Sequence, residues 1–264
     1  TKQAQNYVGT QIVDFPKDNT AAWNPQVGLF YHASATDEVH ATVSRKSRFP
    51  TIKDRYSYRL GTAIPNASLS PEKSTNYEIG ASGLVAKATR LSAAVFYYDV
   101  QDMMQSVTIT PATLCGAAAT TCTQMQNIGK VQTKGMELGI LNTLTEAIEI
   151  GANYTLLIRK NVSNPSIILT DVPNRKLFAY TKWQATAPLS VIASMEANSS
   201  RFSSSDGKRI AGGFGVANLK GTYQFNQAWS AEVGVNNLLD KNYMLVEGYP
   251  LEGRNYFANA TMKF

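Results

Sequence analysis

The chain has 264 residues, 44% of them hydrophobic and 17% charged, and a net charge of +6. Mean hydropathy is −0.20, and no apolar run approaches the roughly 18 residues that a spanning helix needs, which excludes a helical membrane protein. A transmembrane barrel stays open, because alternating lipid-facing and lumen-facing residues keep the average polar. The basic residues are scattered, with no stripe or motif for nucleic acid; a solvated surface or polar lumen accounts for them, and an anionic ligand or lipopolysaccharide could use the excess.

Alternation of apolar and polar side chains with a period of two runs through the chain, and in a strand the two sets point to opposite sides. Val27, Leu29, Tyr31 and Ala33 begin the series. Val39, Ala41 and Val43 oppose His40, Thr42 and Ser44. Tyr77, Ile79, Ala81 and Val85 make the next apolar face, then Leu91, Ala93, Val95 and Tyr97. Met136, Leu138 and Ile140 are set against Lys134 and Glu137. Ile148, Ile150, Ala152, Tyr154 and Leu156 face away from Glu149, Asn153 and Thr155. Leu177, Ala179, Thr181 and Trp183 follow, with Phe178 and Tyr180 breaking the polar face. Val191–Ala197, Ala217–Phe225 and Trp229–Val235 repeat the pattern. Last come Tyr256, Ala258, Ala260, Met262 and Phe264 against Asn255, Asn259, Thr261 and Lys263, with Phe257 as the exception. The pattern predicts about eleven strands, of a length near the roughly 9–11 residues that cross a bilayer.

The connections alternate in length. Short ones are predicted near Thr36–Asp37, Lys87–Ala88, Leu144–Thr145, Pro188–Leu189 and Asn226–Gln227. Long ones fall near Ser47–Ser74, Gln101–Gly129, Arg159–Asn174, Arg201–Gly213 and Asp240–Gly253. Bacterial barrels have short periplasmic turns and long extracellular loops. On that scheme the first and the last strand both descend to the periplasm. Single-chain bacterial barrels have even strand numbers, and an open edge in lipid costs several kcal/mol per unpaired group. The expectation is an all-β, antiparallel transmembrane barrel segment, residues 1–264 being part of a barrel domain whose first strands lie outside the chain. A start at Thr1, with no Met and no signal peptide, fits a processed form or a fragment.

Two stretches, RFPTIKDRYSYRLGTAIPNASLSPEKSTNYEIG at 48–80 and NNLLDKNYMLVEGYPLEGRNYFANATMKF at 236–264, resemble the C-terminal barrel half of TonB-dependent outer-membrane receptors. The carrying residues are Pro71, Glu72, Lys73, Ser74, Tyr77, Glu78, Ile79 and Gly80, then Asn237, Leu238, Leu239, Asp240, Tyr243, Gly253, Arg254, Tyr256 and Phe264. QNIGKVQTKGMEL at 126–138 is also similar. The resemblance implies a barrel of about 22 strands around an N-terminal plug, in the bacterial outer membrane. It implies a receptor that binds a scarce solute, such as an iron–siderophore chelate or cobalamin, and imports it. TonB would act only through the plug region, which this chain lacks. Outer-membrane lipid and lipopolysaccharide would surround the wall. Alternatives are a passive porin-like channel and a soluble β-sheet domain.

No catalytic constellation, metal-ligand spacing or cofactor motif stands out, so an enzyme is not expected, nor a resident cofactor. His32 and His40 fall on the predicted lumen face as ordinary polar residues. Cys115 and Cys122 flank a small, polar stretch and are read as a loop disulfide of an oxidising compartment, with two free thiols as the alternative. Met103, Met104 and Met125 nearby could add soft ligands for Cu(I), but gap-filling is the favoured role. The loop carrying Arg55, Tyr56, Tyr58 and Arg59 is basic and aromatic, and these four are the candidate ligand contacts. Pro71–Ser74 is read as ending that loop and fixing register.

Overall fold

The computed structural model describes residues 5–8, 11–14, 20–109 and 122–264. Its main feature is one antiparallel sheet of eleven strands, each paired with its neighbours in the chain. They are β1 Gln26–His32, β2 Glu38–Arg48, β3 Glu72–Ala86, β4 Thr89–Gln101, β5 Val131–Thr145, β6 Ile148–Asn161, β7 Arg175–Gln184, β8 Leu189–Asn198, β9 Phe214–Gln224, β10 Trp229–Asn236 and β11 Asn255–Met262. β1 and β11 are its edges. A separate two-stranded ribbon, Gln5–Val8 with Gln11–Asp14, precedes it. Among the described residues no helix is long and apolar enough to cross a membrane, which says nothing against a barrel.

The register carries the predicted alternation across the whole sheet. Val43 lies opposite both Val27 and Tyr77, Tyr77 opposite Tyr97, and Ile79 opposite Val95. The same face continues across the sheet: Leu138 lies opposite Tyr154 and Tyr154 opposite Leu177, and further on Leu219 lies opposite Val235 and Val235 opposite Tyr256. These side chains share one face, and many stand largely bare: Val27 is 74% exposed and Tyr256 75%. An apolar surface of this extent is too large for contact with water alone and marks an apolar environment. Lys134 corrects one expectation. It is not set against Met136 but shares its face, one row from the loop end, with its ammonium 6.0 Å from the centre of the Tyr97 ring.

The opposite face is polar and cross-bonded. His40 Nε2 meets Glu78 at 3.3 Å, and His32 meets Glu38 at 3.0 Å. Tyr180 donates to Glu149 at 2.8 Å, and Lys220 and Asn259 both reach Glu232. The aromatic exceptions sit here for a steric reason. Phe96, Tyr180 and Phe257 lie directly opposite Gly135, Gly151 and Gly234, and His40 opposite Gly80. Each ring occupies the space where a Cβ on the glycine would stand. A ring laid over a bare backbone buries apolar area and pins the register of that pair.

All five short turns fall at one end of the sheet and all five long connections at the other. The β5–β6 turn is Glu146–Ala147, two residues beyond the prediction, because pairing continues through a bulge to Thr145. The long connections are not bare loops. Met104–Ile109 pairs with Cys122–Asn127, and Ala63–Ile64 adds to the latter in parallel, giving a three-stranded sheet above the wall. Arg201–Phe202 pairs with Ile210–Ala211, and Met244–Val246 with Tyr249–Pro250. Glu72 supports the predicted role of its segment: it accepts from the Met104 N–H at 3.0 Å and pairs with Arg48. The last loop is knotted by Asn237, 4% exposed. Its amide donates to the carbonyls of Lys241 and Glu252 and accepts from the Lys241 N–H, while Asp240 accepts from the Arg254 N–H.

This packing can be tested by unfolding the intact protein in detergent. Gly135→Val or Gly151→Val drives a side chain into a ring and should cost about 1–3 kcal/mol, whereas Gly221→Val, where nothing lies within 4 Å of the place its Cβ would take, should be neutral. Equal costs at all three positions would remove the steric account. Asn237→Ala strands buried groups of the last loop and should cost about 2 kcal/mol; a change within about 0.5 kcal/mol, the range of an ordinary surface substitution, would show that the knot is dispensable.

Candidate ligand-binding site

The long connections form one cap because their polar backbone atoms bond to each other. The Thr108 N–H donates to Ser205 Oγ at 2.7 Å and the Glu247 N–H to Ser203 Oγ at 2.9 Å. Gln105 Nε2 donates to the Ile168 carbonyl, and the Ile168 and Asp171 N–H groups donate to the Ser205 and Phe202 carbonyls. Beneath, Val107, Ile128 and the fully buried Val131 make a small apolar cluster with Met103, Ile167 and Leu169. That cluster and the backbone bonds give the cap a fixed shape.

Between the connections lies an open cleft of about 820 Å³. Lys53 and Arg59 border it from the β2–β3 connection, and Thr108, Cys122 and Thr123 from the three-stranded sheet. Ser204, Asp206, Lys208 and Arg209 come from the hairpin between β8 and β9, and Tyr249 from the last loop. Among the described residues, four cations therefore face one carboxylate. Asp206 is committed to its own turn: the Ser204 hydroxyl and the Lys208 N–H donate to it and hold its pKa below the usual carboxylate value. The stability it gives the hairpin is present above the ordinary carboxylate range and is lost only as pH falls through that lowered value. At neutral pH the cleft keeps an excess of positive charge, with polar hydroxyls and one phenol between the cations. Such a surface suits an anionic solute.

Local sequence explains how the first wall is built. Thr51 and Asp54 form a reciprocal cap at the start of the helix Ile52–Tyr56, which orients Lys53. Arg59 opens a 3₁₀ turn with φ 43°, and Gly61 follows at φ 88°. The Thr62 hydroxyl donates to the Arg59 carbonyl at 2.7 Å and holds that bend.

Of the four candidate contacts, the structure brings Arg59 to the cleft. Arg55 turns inward and donates to the Leu69 carbonyl at 3.0 Å, so it braces the loop. Tyr56 is half-buried in the same loop, and Tyr58 is exposed but does not border the cleft. Cys122 is disulfide-bonded and 2% exposed; Cys115 lies outside the described residues. The methionines are dispersed: Met103 packs in the apolar cluster and accepts from Arg159, Met104 is 4% exposed, and Met125 borders a smaller cavity of about 40 Å³ with Ser106 and Thr123. Lys208, Arg209 and Tyr249 were not legible as site residues. The run Asp206–Arg209 signals a charged turn, but nothing local says that it faces Arg59, some 150 residues earlier in the chain.

Comparison with known proteins gives concordant results. The chain is 24% identical over 262 residues to the catecholate siderophore receptor Fiu of Escherichia coli, covering 91% of this chain and 32% of Fiu. It is 24% identical over 251 residues to the ferric enterobactin receptor of Pseudomonas aeruginosa, covering 83% of this chain and 33% of that protein. The chain thus spans about a third of the length of these relatives. In fold it is similar to the copper transporter OprC, with a TM-score of 0.73 at 20% identity over 90% of this chain and 39% of OprC. It is also similar to an enterobactin-bound variant of the Pseudomonas aeruginosa ferric enterobactin receptor, with a TM-score of 0.71 at 20% identity over 92% of this chain and 41% of the other. The family model for the β-barrel of TonB-dependent receptor-like proteins matches residues 1–238, and the chain belongs to that family.

Proposed function

We propose that the receptor containing this chain captures an anionic metal chelate of the iron–siderophore class at its long-loop end and imports it across the bacterial outer membrane. One observation carries the reading: among the described residues, a cleft lined by Lys53, Arg59, Lys208 and Arg209 against the one carboxylate of Asp206, raised on a wall of this family. Ferric catecholates are anionic, and a surplus of cations both attracts and retains them. The names of the two relatives support iron chelates over cobalamin. Recognition and release involve no covalent step, so the chain works as a receptor rather than an enzyme.

The apolar face supplies the lipid contact, with short turns toward the periplasm and the cap outside, where lipopolysaccharide surrounds it. Energy would enter through a plug and TonB contact supplied by the region before this chain. Cys115 pairs with Cys122 in this reading and stiffens the segment bordering the cleft. The family match disfavours the porin alternative.

The test is uptake of radiolabelled iron as a ferric tris-catecholate by cells whose only catecholate receptor is the intact protein. Uptake should stop when the inner membrane is de-energised. Lys208→Glu with Arg209→Glu should lower uptake about tenfold at limiting chelate, equivalent to about 1.4 kcal/mol of binding. Uptake that ignores both treatments, or free passage of unrelated small solutes, would contradict the proposal.

A further inference from the structure

The hairpin that closes the cleft has a second side. There, a chamber of about 390 Å³ is bordered by Arg159, Lys160 and Arg201, with Phe202, Ile210 and Ile168 among its other walls. Among the described residues, no acidic side chain borders it. Arg201 is only 8% exposed, and its Nε and Nη2 meet no hydrogen-bond partner. The guanidinium carbon lies 5.8 Å from the centre of the Phe214 ring. The anions acting on it, Asp171 and Glu196, do so from beyond ion-pair distance. Both are already engaged: Asp171 accepts from the Thr170 hydroxyl at 3.0 Å and Glu196 from the Asn198 amide at 2.7 Å. Arg159 is only weakly held, donating to the Thr170 carbonyl at 3.4 Å and to Met103 Sδ at 3.8 Å.

A buried guanidinium with unpaired N–H groups is an unfavourable arrangement in a folded protein. Burial lowers the pKa of Arg201, the two acids oppose that, and it stays charged at neutral pH. A second arginine and a lysine on the same chamber deepen the deficit of negative charge. What completes such a site is a planar oxyanion, which the fork of a guanidinium holds through two parallel bonds.

We propose that this chamber is an anion subsite that takes a carboxylate or catecholate group of the chelate, with Arg201 as its anchor and Arg159 as its second cation. The proposal deepens the function above and rests on it. The geometry supports a division of labour. Lys208 and Arg209 of the hairpin face the outer cleft, whereas Arg201, Phe202 and Ile210 of the same hairpin border the chamber. The chamber is half the volume of the cleft and suits one arm of a chelate.

The experiment is calorimetric titration of malonate, a small dicarboxylate without metal, into the intact receptor in detergent. Native migration on unheated gels serves as the check of folding. Malonate should bind the wild type, and its Kd should rise about tenfold or more in Arg201→Gln. Arg201→Lys should recover part of the loss, because it restores charge without the fork. Lys87→Gln, in the exposed short turn between β3 and β4 at the opposite end of the sheet, should leave malonate binding unchanged. Arg159→Gln provides the same reading should Arg201→Gln not fold, again with a Kd about tenfold higher. Absence of malonate binding to the wild type, or an equal Kd in the folded arginine variants, overturns the subsite. Failure of chelate uptake with the Arg201 dependence intact would overturn the transport reading and leave the subsite standing.

Discussion

The hydrogen-bond ladder between neighbouring strands is the interaction on which the rest of this chain depends. Each strand of the large sheet pairs with its sequence neighbours within the sheet, the edge strands β1 and β11 with one each, so direction reverses at each connection. Connections that alternate short and long are thereby sorted to opposite ends. A period of two in the side chains is sorted at the same time to opposite faces, since a slip of one residue would exchange them. The apolar face, the polar face and the cap all follow from that one pattern of pairing. The glycine–aromatic pairs, such as Gly135 beneath Phe96 and Gly151 beneath Tyr180, reinforce the register where alternation alone is weakest.

The cap answers a different problem. Long connections cost entropy and expose backbone groups, and here they satisfy each other. Ser203 and Ser205 accept from the last loop and from the strand Met104–Ile109, and Gln105 bridges to Ile168 and Thr170. Among the described residues, the charges bordering the cleft are side-chain charges, chiefly basic. The hairpin Arg201–Ala211 presents one set of cations to the cleft and another, with the buried Arg201, to the chamber.

Much of the wall was legible in the sequence because it depends on local rules. Alternation located eleven strands, and connection lengths located the two ends. The exceptions at Phe178, Tyr180 and Phe257 looked like noise on the polar face; for Tyr180 and Phe257 the explanation lies on the partner strand, at Gly151 and Gly234, where a single-strand pattern cannot show it. Lys134 reads as a polar-face residue by its chemistry, but an ammonium near the loop end can sit over Tyr97 on the apolar side. The site was legible only in part. Basic and aromatic composition pointed to the β2–β3 connection, and Arg59 does reach the cleft. Composition could not tell it from Arg55, whose direction is set by the carbonyl of Leu69. Lys208, Arg209 and the buried Arg201 depend on contacts between distant loops. The resemblance motifs Asn237–Asp240 and Pro71–Ser74 serve the architecture, closing and anchoring loops.

The central claim is that positive charge on the cap captures the chelate. Its most direct test is the affinity of a ferric tris-catecholate for the intact receptor in outer-membrane vesicles, measured against salt concentration. Affinity should fall by about tenfold between low salt and about 0.5 M, as screening shortens the reach of the exposed cations. An affinity that does not change with salt, or no binding at any salt, would contradict the account.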